Sequence, residues 1–448
     1  MKMTTAVSKF VRTTLLAAPI ALAPAVSTVV LGAIGFDSVT SGAAYAAEEK
    51  TAEKPKYKTK KSYSLRQKIY KKFAKVQEKT DAEDWKGALE VLRDIEKGSE
   101  SFTSFEKANL WNYFGWIHYS LEEYKPSVRY YEKVLAEEQL SAALELGTLQ
   151  TVAQLKFVQE DYRGAIKLLK KFVSKSEIVG ADIFVLLAQG YYQLGDMKQS
   201  LENVSTAVKR YEVKGKVPKE NWYSLQRAVH FELGNNKAVI KILEKMVRHY
   251  PKTTYWKQLA GMYGAQNREK DQLHATEVVY LAGGLTKEKE LMNLAYMFLG
   301  QDAPIKSANV IRKGIKAKQI EETSKNLEVY ASALRLAQEV KKSIPVMAQA
   351  AKKSKKGDLY SRLAGVYLDN DQNKEALDAA SRANKRGGVK RPDQLNIIVG
   401  MANVNLGKYE SAIKAFKLAA KDKRTKKSAN QWVTYAEGEL KREKQLAK

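Results

Sequence analysis

At 448 residues the chain is long enough for two or three compact domains or for one extended array, and at 44% apolar residues it can bury a sizeable core. Its 77 Lys and Arg against 50 Asp and Glu give a formal charge of +27. The absence of cysteine excludes disulfides, thiolate metal sites, a cysteine nucleophile and a cysteine-linked lipid anchor, so stability must come from packing.

The first segment sets the expected compartment. MKMTTAVSKFVR supplies Lys2, Lys9 and Arg12, TLLAAPIALAPAVSTVVLGAIGF is nearly free of charge, and AYA (Ala44 to Ala46) has the small-x-small pattern of a signal-peptidase site. Residues 1–46 therefore read as an export signal. An uncleaved anchor is the competing reading, disfavoured by Pro19, Pro24 and the AYA site. Removing three cations and Asp37 leaves a mature charge of about +25. In an exported protein the natural counterparts of that charge are an anionic membrane surface, a cell-wall polymer or an acidic protein partner, and no nucleic acid is expected.

Residues 47–61, charged and poor in large aliphatics, read as a flexible basic linker. From Lys50 to Lys72 there are ten Lys or Arg and one acidic residue, Glu53, and KDKRTKK and KREKQ return the same character near the other end. A solvated face explains these runs as readily as an anionic partner does.

From Ser62 onward one pattern recurs: DWKGALEVL, EYKPSVRYY, DYRGAIKLL, DMKQSLENV, NNKAVIKIL, REKDQLHAT, APIKSANVI, EVKKSIPVM, QNKEALDAA and KYESAIKAF. Its aligned positions, Ala88, Ser127, Ala165, Ser200, Val239, Gln272, Ser307, Ser343, Ala376 and Ala412, lie 33 to 39 residues apart, so one unit is reused with small loop insertions. Each should fall three residues after the one that opens the second helix of a pair. In the fourth unit Phe184, Leu187, Ala188 and Tyr191 mark one helical stripe and Leu201, Val204 and Val208 another. Gly195 can end the first helix in left-handed backbone and Asp196 can cap the second; Gly407 repeats the punctuation in the tenth. A pair of this length cannot bury both faces by itself, and stacking supplies the missing cover.

The residues that carry the pattern resemble tetratricopeptide repeats: Trp111, Phe114, Gly115, Tyr124, Ser127 and Tyr131 in unit two, with His118 departing from an expected Tyr; Trp256, Leu259, Ala260 and Tyr263 in unit six, with Gln272 departing from a small residue; Tyr360, Leu363, Ala364, Tyr367, Ala376, Ala380 and Ala383 in unit nine. The resemblance implies an all-α, right-handed superhelical solenoid of about ten helix pairs over 62–427, with a C-terminal capping helix over 428–448 that covers the last face with Trp432 and Tyr435. Gly115, Ala188, Ala260 and Ala364 are expected to let the two helices of a pair approach. Unit five keeps Gly234 and Pro251, but Trp222 falls one position early, which predicts a slipped register. Pro126 and Pro304 sit harmlessly near helix starts, whereas Pro345 predicts a kink or a late start in unit eight.

Catalytic chemistry finds no foothold. His118, His230, His249 and His274 form no HExxH pair and have no close ligand partner, and no Gly-rich loop or GxSxG elbow appears. No metal, cofactor or enzymatic activity is expected. The inward-facing positions of the first helices instead offer Trp116 and Tyr119, Gln154 and Phe157, Gln189 and Tyr192, and Tyr296 as a concave partner-binding surface. The other reading is that curvature buries some of these rings between adjacent helices. The Lys and Asn clamp for a C-terminal carboxylate found in some chaperone-binding members does not recur.

SYSLRQKIYKKFAKVQE, NLWNYFGWIHYSLEEY, KELMNLAYMFLG and KRPDQLNIIVGMA further resemble exported repeat proteins of Gram-negative aquatic bacteria, often encoded beside the TonB–ExbB–ExbD energiser. That resemblance implies a non-enzymatic periplasmic scaffold in energised outer-membrane transport, bound to envelope proteins. A module binding cell wall or exported polysaccharide is the alternative.

Overall fold

Each of the ten aligned positions falls on the fourth residue of a helix, from Ala88, where the helix opens at Trp85, to Ala412, where it opens at Tyr409. The structure, a computed structural model, describes residues 63–446; the expected signal at 1–46 and linker at 47–61 lie outside the described residues. Among the described residues there are twenty-one α-helices and no strand, and consecutive helices pack pairwise. The fold is all-α, with ten helix pairs and a final single helix, as the repeat spacing predicts. No helix among the described residues is long and apolar enough to cross a membrane.

The chain forms two compact units, divided between Tyr250 and Pro251. The first holds the pairs α1 (Gln67–Asp81) and α2 (Trp85–Lys97), α3 (Ser104–Ser120) and α4 (Tyr124–Ala136), α5 (Ala142–Val158) and α6 (Tyr162–Lys175), α7 (Ala181–Gln193) and α8 (Met197–Glu212), and α9 (Glu220–Glu232) and α10 (Asn236–His249). The second holds α11 (Thr253–Ala265) and α12 (Glu269–Leu281), α13 (Glu288–Gly300) and α14 (Pro304–Lys316), α15 (Ser324–Leu336) and α16 (Val340–Lys353), α17 (Asp358–Leu368) and α18 (Asn373–Arg386), α19 (Pro392–Asn405) and α20 (Tyr409–Ala419), then α21 (Lys426–Leu446).

One turn serves all ten pairs. Its left-handed residue always lies two positions before the second helix: Gly195, Gly234 and Gly407 in three turns, but Glu83, Glu122, Glu160, Asn267, Asp302, Gln338 and Asp371 in the others. The next residue returns its amide to the first helix, as Asp196 N–H does to the Tyr191 carbonyl at 2.9 Å. Asp84, Asp161, Asp196 and Asn235 cap the helix that follows, accepting from the backbone three residues on.

The small positions work as close-approach points. Ala188 and Ala364 are wholly buried, and a Cβ on Gly115 would come 2.9 Å from the Tyr131 ring. Gln272, the one long polar residue in the small series, is compensated on the facing helix: it lies over Gly264, where a Cβ would be 2.6 Å from its Nε2. Trp222 does not disturb the turn of its pair; it is buried and meets Tyr211 of the preceding helix edge-on at 4.6 Å. Pro345 lies inside α16, yet that helix opens at Val340 in phase with the others, so the late start does not occur. The capping helix opens at Lys426, two residues before the expected boundary; Trp432 stacks on Phe416 at 5.8 Å, while Tyr435 touches Trp432 edge-on and stays half exposed.

Candidate functional site

The first helices of the last three pairs, α15, α17 and α19, line a cleft of about 570 Å³ in the second unit. Its floor is apolar because these helices carry more apolar residues than pair packing consumes. In α19 the run NIIVGM leaves Ile397, Ile398 and Met401 only partly covered. Val366 of α17 and Met347 of α16 complete the floor, and Gly365, 3.4 Å from the Ile398 side chain if it carried a Cβ, lets α19 come close.

Polar groups ring this floor. Arg362 bonds Glu328 at 2.6 Å and Asp358 at 3.2 Å, and Asp358 also accepts from the Lys390 amide at 3.1 Å. Arg391 forks onto Asp393, with its Nη2 at 2.7 Å, and Arg424 approaches the same carboxylate at 3.4 Å. Asp393 is almost fully buried, and the Arg391 hydrogen bond holds its carboxyl below the usual range against the opposing effect of burial. Arg335, exposed at the far end on α15, has no ion-pair partner among the described residues. The cleft thus pairs an apolar floor with a cationic group free to meet an acceptor.

The residues expected to form a concave surface are distributed differently. Trp116 packs edge-on against Trp85 at 5.7 Å and Tyr119 lies 6.1 Å from Tyr124; both are half-buried on α3. Phe157 is buried against Tyr162 and beside Gly190 of α7, and Tyr192 is only 2% exposed. Gln154 and Gln189 are half-buried on α5 and α7, and Tyr296 stands 43% exposed on α13 in the second unit. Phe157 and Tyr192 thus belong to the core. The cleft residues went unread because the sequence criterion weighted aromatic rings; the signal that could have found them is the unbroken apolar run at 397–399.

Two of the histidines take part in packing, whereas His249 and His274 are exposed. His118 stacks on Tyr130 at 5.3 Å and pairs with Glu123, and His230 is partly buried, which lowers its pKa. Among the described residues no group of His, Asp or Glu could hold a metal ion.

No family profile and no curated protein matches the chain. Solved helical-repeat structures are similar to parts of it. MamA is 17% identical over 39% of this chain and 94% of its own, with a TM-score of 0.33. YrrB, described as a TPR protein with an unusual peptide-binding site, is 16% identical over 41% and 89%, at 0.32. A tetratricopeptide repeat protein from Parabacteroides merdae is 11% identical over 57% and 98%, at 0.26.

Proposed function

We propose that the chain is a non-enzymatic scaffold whose second-unit cleft holds an extended or helical segment of a protein partner. The cleft carries this reading: Val366, Ile397 and Met401 offer apolar cover, and Arg335 offers charge to an acidic or C-terminal group. The signal pattern at residues 1–46 and the resemblance of the repeat segments support a finer assignment. In that assignment the scaffold works in the periplasm as an accessory of a TonB–ExbB–ExbD transport system, binding envelope proteins. Trp116, Tyr119, Gln154, Gln189 and Tyr296, none of them fully buried, remain candidate contacts beyond the cleft.

A photo-crosslinker at Gln394 in intact cells tests the cleft. The expected result is a discrete crosslinked partner that is lost in an Arg335→Glu, Ile397→Asp variant with unchanged helical content. Equal capture by that variant rules the cleft out. Retention on purified peptidoglycan at physiological salt, without a protein crosslink, would favour the polymer-binding alternative.

A further inference from the structure

Positive charge in the last three connectors of the second unit is gathered on one edge. The connector from α16 to α17, SKKG, carries Lys355 and Lys356; GGVKR, from α18 to α19, carries Lys390 and Arg391; AKDKRT, from α20 to α21, carries Lys421, Lys423 and Arg424 against a single Asp422. Flanking helix ends add Lys352 and Lys385 before the first two connectors and Lys426 and Lys427 after the third, against Asp358 and Asp393 at the starts of α17 and α19. The turns on the opposite edge of the same three pairs carry Glu339, Asp369 and Asp371 against Lys408 alone. The ends flanking those turns carry Arg335, Lys341, Lys342 and Lys374 with Glu375 and Glu410, so with flanks included the connector edge is still the more cationic of the two.

The edge is built as one piece. Gly357 N–H donates to the Gly387 carbonyl at 2.6 Å, joining the first connector to the second, and Arg386 donates to the Ala351 carbonyl at 3.0 Å. Arg424 reaches Asp393 at 3.4 Å, joining the third connector to α19. The arginines are spent in this scaffolding: Arg386 on backbone carbonyls, Arg391 on Asp393, Arg424 on Asp422 and Asp393. The lysines are not. Lys355, Lys356, Lys385, Lys421 and Lys423 are exposed, and none has an ion-pair partner among the described residues.

The geometry points to this edge as an adsorption surface for an anionic lipid bilayer. The free cations are all compact ammonium groups, without the guanidinium forks that read individual phosphates or carboxylates bidentately. No aromatic residue lies in the three connectors to stack on bases, as single-stranded nucleic acid would require. They also offer no exposed large apolar side chain to anchor a protein partner. What remains is a fixed row of point charges. Such a row gains from each lysine brought near a negative headgroup plane, and its charges act together within a screening length of about 8–10 Å.

Sedimentation of the full chain with vesicles tests this. Vesicles of 30% phosphatidylglycerol in phosphatidylcholine should bind it in low salt, at least tenfold more tightly than pure phosphatidylcholine vesicles. Replacing Lys355, Lys356, Lys385, Lys421 and Lys423 by Gln should abolish that preference with unchanged circular dichroism, whereas replacing the same five by Arg should keep it. Five Lys→Gln changes on the first unit, at Lys86, Lys107, Lys125, Lys167 and Lys198, should cost little. Equal loss in both Gln variants would reduce the effect to net charge and overturn the assignment. So would a wild-type preference for a soluble duplex or polyanion over the vesicles.

Discussion

The Ser200 hydroxyl donates to the Ala188 carbonyl at 2.8 Å across the α7–α8 interface, and Ser127 makes the same bond to Gly115 at 2.7 Å. Both serines occupy the position where the second helix must be small, so one residue type answers a steric need and satisfies a buried hydroxyl. Ser343 turns to its own helix, bonding the Val340 carbonyl, and the Ser307 hydroxyl is buried with no partner. Ser200→Ala should therefore destabilise by about 1 kcal/mol. Ser307→Ala, which removes an unsatisfied polar atom, should stabilise by about 1 kcal/mol. Urea midpoints of the two variants should move in opposite directions; equal losses would mean that the cross-helix bond contributes nothing.

The shared turn carries a second contrast. Gly195 holds its left-handed φ of 80° without steric cost, whereas Glu160 holds 59° at the equivalent place with a side chain. A left-handed L-residue costs about 1–2 kcal/mol locally, partly recovered through the stiffer unfolded chain. Glu160→Gly should raise stability by about 0.5–1 kcal/mol, and Gly195→Ala should lower it by about 1 kcal/mol. Thermal melts of both check the pair.

These turns also show what the sequence could tell. Gly195, Gly234 and Gly407 announce the left-handed position, but the other seven turns hide it behind Glu, Asn, Asp and Gln, residues with no such obligation elsewhere. The helix starts were nevertheless legible throughout, because close packing restricts the fourth residue of nearly every second helix regardless of how the turn is built, Gln272 being accommodated by Gly264 opposite. The candidate site was far less legible. The rings expected on one surface occupy two different repeat positions: Tyr192, eight residues before Ser200, is buried as Phe157 is at the same place, while Tyr296, eleven before Ser307, stays exposed. The cleft itself arises where three helices leave Ile397, Ile398 and Met401 uncovered, a sum over several repeats that no single repeat displays.

Gly400 shows how tightly a close-approach point can be set. A Cβ there would collide with the Phe416 ring, and that ring is fully buried with Trp432 stacked behind it. Gly400→Ala should therefore overpack the α19–α20 junction and destabilise by about 1–3 kcal/mol. Gly261, exposed on α11 with nothing near its missing Cβ, provides the opposite case. Gly261→Ala should stabilise by about 0.5–1 kcal/mol through helix propensity alone. If both substitutions changed the urea midpoint equally, the ring contact would have no energetic weight.

Acid should loosen the start of the first unit through Glu106. This carboxylate is completely buried, which by itself pushes its pKa up, but Arg66 donates to it at 2.6 and 2.8 Å. The backbone amides of Thr103 and Arg66 add bonds at 3.0 and 3.1 Å. Together they outweigh burial and hold the pKa at about 2 against an ordinary 4.5. A carboxyl depressed in the fold binds fewer protons there than in the unfolded chain, so its stabilisation is full above pH 4.5 and drains as pH falls toward 2. Glu106→Gln, which cannot ionise, should lower Tm at pH 7 and flatten the decline of Tm between pH 5 and pH 2.5 relative to the parent. Parallel declines in the two proteins would assign the acid sensitivity to other carboxylates.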